Sequence, residues 1–159
     1  MLVGLLGQKR SGKDTSADYI VENYNFAKLA YADPLKEISK ILFFFDEKQL
    51  HGNNKEVIDK FWKTKPRDLY QYIGTDIMRR DINKIMPHIG EDFWVIHMEK
   101  RLDESESGNK IISDLRYQNE IDQIHELGGI VIKIIRPNIE SNDTHESEKN
   151  IDNLTGFDY

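Results

Sequence analysis

Cysteine does not occur among the 159 residues. That excludes disulfides and any thiolate metal centre, and it fits a reducing compartment. Long apolar runs are missing as well: the longest, Ile41 to Phe45, is far too short to cross a bilayer. Met1 leads straight into an apolar segment with no basic signal region, so a cytoplasmic protein with no membrane partner is expected. Positive charge is scarce too. Lys and Arg number 22 against 28 Asp and Glu, a net charge of −6, which argues against nucleic acid as a partner. The five histidines (His51, His88, His97, His125 and His145) show no metal-ligand spacing. A chain of this length suits one domain over residues 1–159.

What is present begins at the N-terminus. Gly7-Gln8-Lys9-Arg10-Ser11-Gly12-Lys13-Asp14-Thr15 lies between the apolar run Leu2–Leu6 and a helical segment from Ala17 to Tyr24. Gly-x-x-x-x-Gly-Lys between a strand and a helix is the phosphate-cradling pattern: glycines let successive N–H groups converge, and the helix N-terminus adds partial positive charge. Lys13 then supplies a flexible point charge to the outer phosphates. The residue after the lysine is usually Ser or Thr; here it is Asp14. A carboxylate at that position suits a hard cation, and it also suits the helix dipole.

Strand and helix signals alternate along the rest of the chain. Ala17, Ile20, Val21 and Tyr24 form a core-facing stripe. A short strand follows at 26–29, then a helix opening at Asp33-Pro34 and running towards Phe44; Phe43 to Phe45 read most simply as core or hinge packing, with exposure on a substrate lid as the minority reading. The pattern weakens from Asp46 to Lys65, a candidate mobile insertion. A long helix is expected from Pro66 to about Ile85, another from Asp92 to about Asp103, a strand at 110–113, a helix at 118–127, a strand at 130–135, and a last helix near 146–150. Such alternation implies α/β architecture, a mainly parallel sheet flanked by helices, with ligands beyond the carboxyl ends of the strands.

Three strand ends carry chemistry-bearing groups: the loop after Leu6, Asp33 and Asp114. Asp114 reads either as a magnesium-organising acid or as a cap for the following turn. Arg116, two residues on, reads as a charge-neutralising group for a transferring phosphoryl or as a surface ion pair. On the long helix Arg67, Gln71, Thr75 and Arg79 recur every four residues and so share a face. Arginine grips phosphate through paired hydrogen bonds, and Gln both donates to and accepts from a base. Gly74 permits close approach there. Lys36 is a second candidate phosphate contact. Trp94 and Tyr72 offer stacking surfaces, although core packing is the commoner fate of such rings. No nucleophile is required for transfer between bound phosphates.

The loop Gly7 to Thr15 resembles that of the deoxynucleoside monophosphate kinases of T-even-type phages and related viruses, where Gly-Lys is likewise followed by Asp and Thr. The likeness continues through Ala32 to Lys36, Gln71 to Asp76, Ile112 to Glu120, Leu127 to Gly129, Arg136-Pro137 and His145 to Glu148. It implies transfer of the γ-phosphoryl of ATP, with Mg2+, to a deoxynucleoside 5′-monophosphate. It implies a P-loop kinase fold with a central five-stranded parallel sheet, a helical substrate-binding portion and a lid. By that resemblance Gly7, Arg10, Ser11, Gly12, Lys13, Asp14, Thr15 and Arg136 hold ATP, and Asp14 and Asp114 organise the metal. Asp33, Lys36, Arg67, Gln71, Thr75 and Arg79 line the monophosphate site, to which Trp94 is added here as a stacking surface for the base, and Lys13 and Arg116 are catalytic. The family pattern continues past the Phe157-Asp158-Tyr159 end into a further strand and helix, of which these residues are read as the start. A phosphomevalonate-kinase-like enzyme is the alternative, since it shares Gly-Lys-Asp; Gln71 and Thr75 weigh against it. A switch-like NTPase is disfavoured because no Asn-Lys-x-Asp segment occurs. Oligomeric state is closed to sequence reading; a homodimer is the simplest form if the chain self-associates.

Overall fold

A computed structural model describes residues 1–137 and 151–159. The helix expected near 146–150 and the His145 to Glu148 motif lie outside the described residues. Two compact units emerge, one of residues 1–31 and 95–159, the other of residues 32–94.

The first unit is built on a parallel sheet. Strand β1 (Leu2–Leu6) leads through helix α1 (Lys13–Tyr24) to β2 (Ala27–Leu29), and β3 (Lys110–Leu115) through α6 (Gln118–Glu126) to β4 (Ile130–Lys133). The order is β2-β3-β1-β4 and every pairing is parallel. Parallel sheets bury both faces, so their strands read as near-continuous apolar runs, as β1 and β3 do. Val3, Leu5 and Ile111 turn to the α1 face with Ala17, joined by Ile20, Val21, Phe26, Ile130 and Ile132. On the opposite face Gly4 is pressed by Leu115 and Ile124; a Cβ there would lie 2.5 and 3.2 Å from their side chains.

Four strands are assigned among the described residues where the resemblance implied five. The C-terminal residues nonetheless continue the ladder beyond β4: the Asp158 amide donates to Val131 O at 2.8 Å and the Lys133 amide to Tyr159 O at 2.7 Å. β3 runs two residues further than its apolar pattern suggested, to Leu115, because it carries a bulge. Gly4 pairs with Ile112 but Leu6 with Leu115, so β3 holds one extra residue at Ser113–Asp114. The α1 stripe packed on the sheet stops at Val21, and Tyr24 is exposed.

The second unit is helical. It contains α2 (Asp33–Phe43), α3 (Glu47–Leu50), a 3-10 turn (Asn53–Glu56) and α4 (Pro66–Gln71). A π-helical stretch (Tyr72–Arg80) and a second 3-10 turn (Asp81–Lys84) follow. Helix α5 (Phe93–Glu104) leads out of it. The long helix expected from Pro66 to about Ile85 is therefore continuous in path but widens to i→i+5 bonding in its middle. Of the three phenylalanines, Phe45 is buried and Phe43 stacks edge-on against Trp62, but Phe44 is 87% exposed. Its φ of 56° ends α2 and turns the ring outward. Within residues 46–65 the Asp59 carboxylate ties the segment to itself, accepting from the amides of Phe61 and Trp62 and from Gln49 Nε2. Among the described residues no helix is long and apolar enough to cross a membrane.

Candidate active site

In the first unit the chain leaves β1 at Gly7 (φ 156°) and turns back through Arg10 (φ 67°) and Gly12 (φ 104°). These dihedrals curl the loop onto the start of α1, where Gly12 sits as an N-cap without a side-chain cap. The Ser11 amide closes the turn on Gln8 O at 3.1 Å, and the first helical bond runs from Ser16 N to Gly12 O at 2.9 Å. Helix geometry gives the amides of the turn before Ser16 no carbonyl within the helix. That concentrates donors and dipole charge where an anion would sit. Lys13 is buried, and its ammonium donates to Gly7 O at 2.6 Å and Gln8 O at 2.8 Å. The lysine is thus pinned along the loop rather than extended into solvent. Ser11 Oγ is buried and has no hydrogen-bond partner among the described residues. An orphaned hydroxyl beside converging amides fits a phosphate-binding loop. Arg10 and Thr15 are exposed, and Arg136 is exposed beyond β4.

Asp14 projects outward from the first turn of α1, with 81% of its side chain exposed, and lies 3.5 Å from Lys28 Nζ on β2. Lys28 also bonds Asp18 Oδ1 at 2.8 Å. Burial pushes the Lys28 ammonium down, but the Asp18 hydrogen bond and the Asp14 charge outweigh it, and its pKa is raised. Asp114 sits in the β3 bulge, and its Oδ1 accepts from the Tyr31 amide at 2.8 Å, tying the end of β2 to the end of β3. Arg116 follows directly. Its amide donates to Glu120 Oε2 at 2.7 Å, and the Tyr117 amide reaches the same oxygen at 3.2 Å.

Glu120 is only 2% exposed and was not singled out by sequence reasoning. The spacing from Tyr117 to Glu120 is that of a helix N-terminus with its N3 acid, a signal available in the sequence. Arg101 and Gln123 were also missed. Arg101 donates to Ala30 O at 2.6 Å, while Gln123 accepts from Tyr31 Oη at 2.8 Å and donates to Val95 O at 2.7 Å. Together they fix the chain where β2 ends.

In the second unit the residues spaced by four do share a face, since a turn of a little over four residues keeps such positions aligned about as well as an α-turn does. That face is inward. Thr75 and Arg79 are buried, Arg79 donating to Glu91 O at 3.3 Å. Gln71, at the end of α4, is half-buried. Arg67 lies 3.5 Å from Glu56 Oε1 with 16% of its side chain exposed. Gly74 comes so near α2 that a Cβ would lie 2.9 Å from Leu35 Cδ2. Trp94 is buried, and its indole N–H donates to Gly74 O at 2.8 Å; the ring props the π-helical stretch instead of presenting a face. Tyr72 is the exposed aromatic of this stretch. Asp33 opens α2, and Lys36 Nζ lies 3.5 Å from His51 Nδ1.

A parallel sheet carrying this loop at the carboxyl end of β1, with helices against both of its faces, defines a P-loop nucleotide-binding protein of the kinase type. Comparison with known proteins narrows the class. The sequence model of the family described as deoxynucleotide monophosphate kinase matches residues 1–53 and 40–156. A protein of Acanthamoeba polyphaga mimivirus, provisionally named a deoxynucleotide monophosphate kinase, is 39% identical over 165 residues, spanning 99% of this chain and 86% of that protein. The deoxynucleotide monophosphate kinase of Enterobacteria phage T4 is 25% identical over 216 residues, spanning 92% of this chain and 86% of the phage protein. The chain belongs to the deoxynucleotide monophosphate kinase family, and this sets aside the phosphomevalonate-kinase-like alternative.

Proposed function

We propose that this chain transfers the γ-phosphoryl group of ATP to the 5′-phosphate of a deoxynucleoside monophosphate, giving ADP and the deoxynucleoside diphosphate. The observation that carries this reading is the loop at Gly7–Lys13, with its uncapped helix start, pinned lysine and orphaned Ser11 hydroxyl, in a chain of this family. ATP is the co-substrate that a kinase family implies. Its phosphates take the amides of the loop, the Ser11 hydroxyl and the Lys13 ammonium, with Arg10, Thr15 and Arg136 at the rim. The acceptor phosphate takes Arg67 and Lys36, while Gln71, Thr75 and Asp33 supply the hydrogen-bonding edges. Arg79 and Trp94 act from buried positions, holding the helix that carries Gln71 and Thr75. Arg116, braced at its backbone by Glu120, meets charge that builds on the transferring group.

Transfer is an in-line displacement between bound phosphates: an acceptor oxygen forms a bond to the γ-phosphorus as the bond to the β–γ bridging oxygen breaks. It needs positioning and charge neutralisation and no covalent enzyme intermediate. Asp14 and Asp114 are the residues that would hold Mg2+, which when bound neutralises phosphate charge. Their chemistry fits. Two carboxylates are a donor set that Mg2+ characteristically uses, completed by water and phosphate oxygens. Asp14 would exchange its exposed contact with Lys28 for the metal, a small cost for an ion pair in water.

The kinase family supports small nucleotides as partners, and the net charge of −6 argues against nucleic acid. The viral origin of the two relatives supports action in the cytoplasm of a host cell. The test is ADP production from ATP and magnesium with a panel of deoxynucleoside monophosphates and with phosphomevalonate. Turnover is expected with at least one deoxynucleoside monophosphate and is lost in Lys13→Ala. Turnover with phosphomevalonate alone refutes the reading.

A further inference from the structure

Gln8 is the hub of the phosphate loop, and what holds Gln8 comes from the far end of the chain. Its carbonyl accepts from Lys13 Nζ at 2.8 Å and from the Ser11 amide at 3.1 Å. Its side-chain amide donates to Asp152 Oδ2 at 2.8 Å, across 144 residues of sequence. Asp152 sits in a short 3-10 turn, Ile151–Asn153, which is nailed down on one side by fully buried Ile151.

The turn is fastened on its other side by the segment that follows. Thr155 exchanges hydrogen bonds with the Gln118 side chain, its amide to Oε1 and its carbonyl from Nε2, each at 3.2 Å. The Phe157 ring lies 4.8 Å from Lys133 Nζ. Asp158 accepts from the Val131 amide at 2.8 Å, and its carboxylate is 3.1 Å from His125 Nε2. An acid beside a loop built for a triphosphate is electrostatically unfavourable for that ligand, so its presence calls for a compensating role.

Resting on the kinase reading above, we propose that Asp152 is a positioning residue: it holds Gln8 so that the Gln8 carbonyl keeps Lys13 and Ser11 in place for ATP. Gln8 is half-buried, but Asp152 and the bond itself are exposed to solvent, so the bond adds little to folding, whereas its loss frees the loop's lysine anchor. Asp152→Ala is expected to raise KM for ATP roughly 3- to 10-fold, the range for the net worth of one ordinary hydrogen bond. KM for the monophosphate and the melting temperature stay at wild-type values. Asp152→Asn keeps an acceptor for Gln8 Nε2 while removing the charge, and it restores KM for ATP to the wild-type value or below. Gln8→Ala matches Asp152→Ala, and the double variant is no worse than either single one.

ATP affinity measured directly by calorimetry, without acceptor, must move in the same order. That measurement stands even where the wild type phosphorylates no monophosphate, an outcome that refutes the kinase reading alone. Tighter ATP binding in both Asp152→Ala and Asp152→Asn overturns the proposal, because Asp152 would then act by charge only. Unchanged ATP binding in Asp152→Ala overturns it as well, as does a loss of affinity that merely follows a fall in melting temperature.

Discussion

Gly7→Ala perturbs the phosphate loop at its first residue by a single methyl group. A Cβ built there lies 2.5 Å from Ile134 O and 2.8 Å from Ser11 Oγ. The serine can rotate away; the carbonyl cannot easily follow, because the Ile134 amide is hydrogen-bonded to Leu6 O at 2.7 Å. The loop must therefore lift off the end of β4. Overpacking of this kind costs about 1–3 kcal/mol, and the backbone at φ 156° adds strain for a residue with a side chain. For a domain of this size each kcal/mol lowers the melting temperature by about 2–4 °C. A fall of roughly 2–12 °C is expected from the overpacking, with the strain adding to it, and a KM for ATP raised at least several-fold because Lys13 is anchored on Gly7 O. Gly12→Ala is the internal control. No atom lies within 4 Å of a Cβ at Gly12, so only the left-handed backbone (φ 104°) is strained, at about 1–2 kcal/mol. Scanning calorimetry and initial-rate kinetics on both variants decide the matter. A Gly7→Ala protein as stable as wild type, or more stable than Gly12→Ala, refutes the argument from Ile134.

Arg67→Ala should raise KM for the monophosphate roughly 10- to 100-fold, for loss of a charge-assisted contact of about 1.5–3 kcal/mol, and leave KM for ATP alone; an unchanged monophosphate constant removes Arg67 from the acceptor site. The Val131 amide, and after it His125, hold the Asp158 carboxyl below its ordinary value. A depressed folded-state pKa gives stability that is present above the unfolded value of about 4 and lost as pH falls through the folded one. The protection of the Val131 amide, its exchange relative to the intrinsic rate at each pH, should therefore fall on acidification below about pH 4, and Asp158→Asn should abolish that dependence; a wild-type protection factor that stays flat counts against it. Ile124 is fully buried against Gly4 and Gly129, so Ile124→Ala should cost about 2–5 kcal/mol in urea unfolding, and a loss under 1 kcal/mol would show that the α6 face of the sheet collapses to fill the void.

The strand, loop and opening helix at residues 2–24 were legible in the sequence because each signal is local: an apolar run, glycines at fixed spacing, a lysine at the helix start. The parallel sheet was legible for the same reason, as alternation of short strands and helices. Features fixed by distant partners were not. Glu120 under the Arg116 amide has a local signature, but its burial depends on the packing of α6 against the sheet. Arg101 meets Ala30 across 71 residues and Gln123 meets Tyr31 across 92, and no period or motif encodes either. Asp114 was placed after its strand because a bulge leaves no mark in an apolar pattern. The outward turn of Phe44 was only the less favoured reading for a related reason: a left-handed residue at a helix end is legible when it is Gly or Asn, not when it is aromatic. For the helix from Pro66 to Lys84, spacing by four is satisfied by ordinary and by widened turns alike, so the sequence announced a shared face without announcing its width.

That width has a consequence for how the protein can vary in length. A turn closed by i→i+5 bonds contains a residue that an α-helix would not need. Removing one residue between Tyr72 and Arg80 would let the stretch relax to i→i+4 bonding, whereas adding one would demand a wider ring still. Shortening is the tolerated direction. Because the wider ring had absorbed the extra residue, the helix beyond it would keep its facing, so a one-residue deletion between Thr75 and Arg79 should leave a folded chain whose Arg79 still points inward.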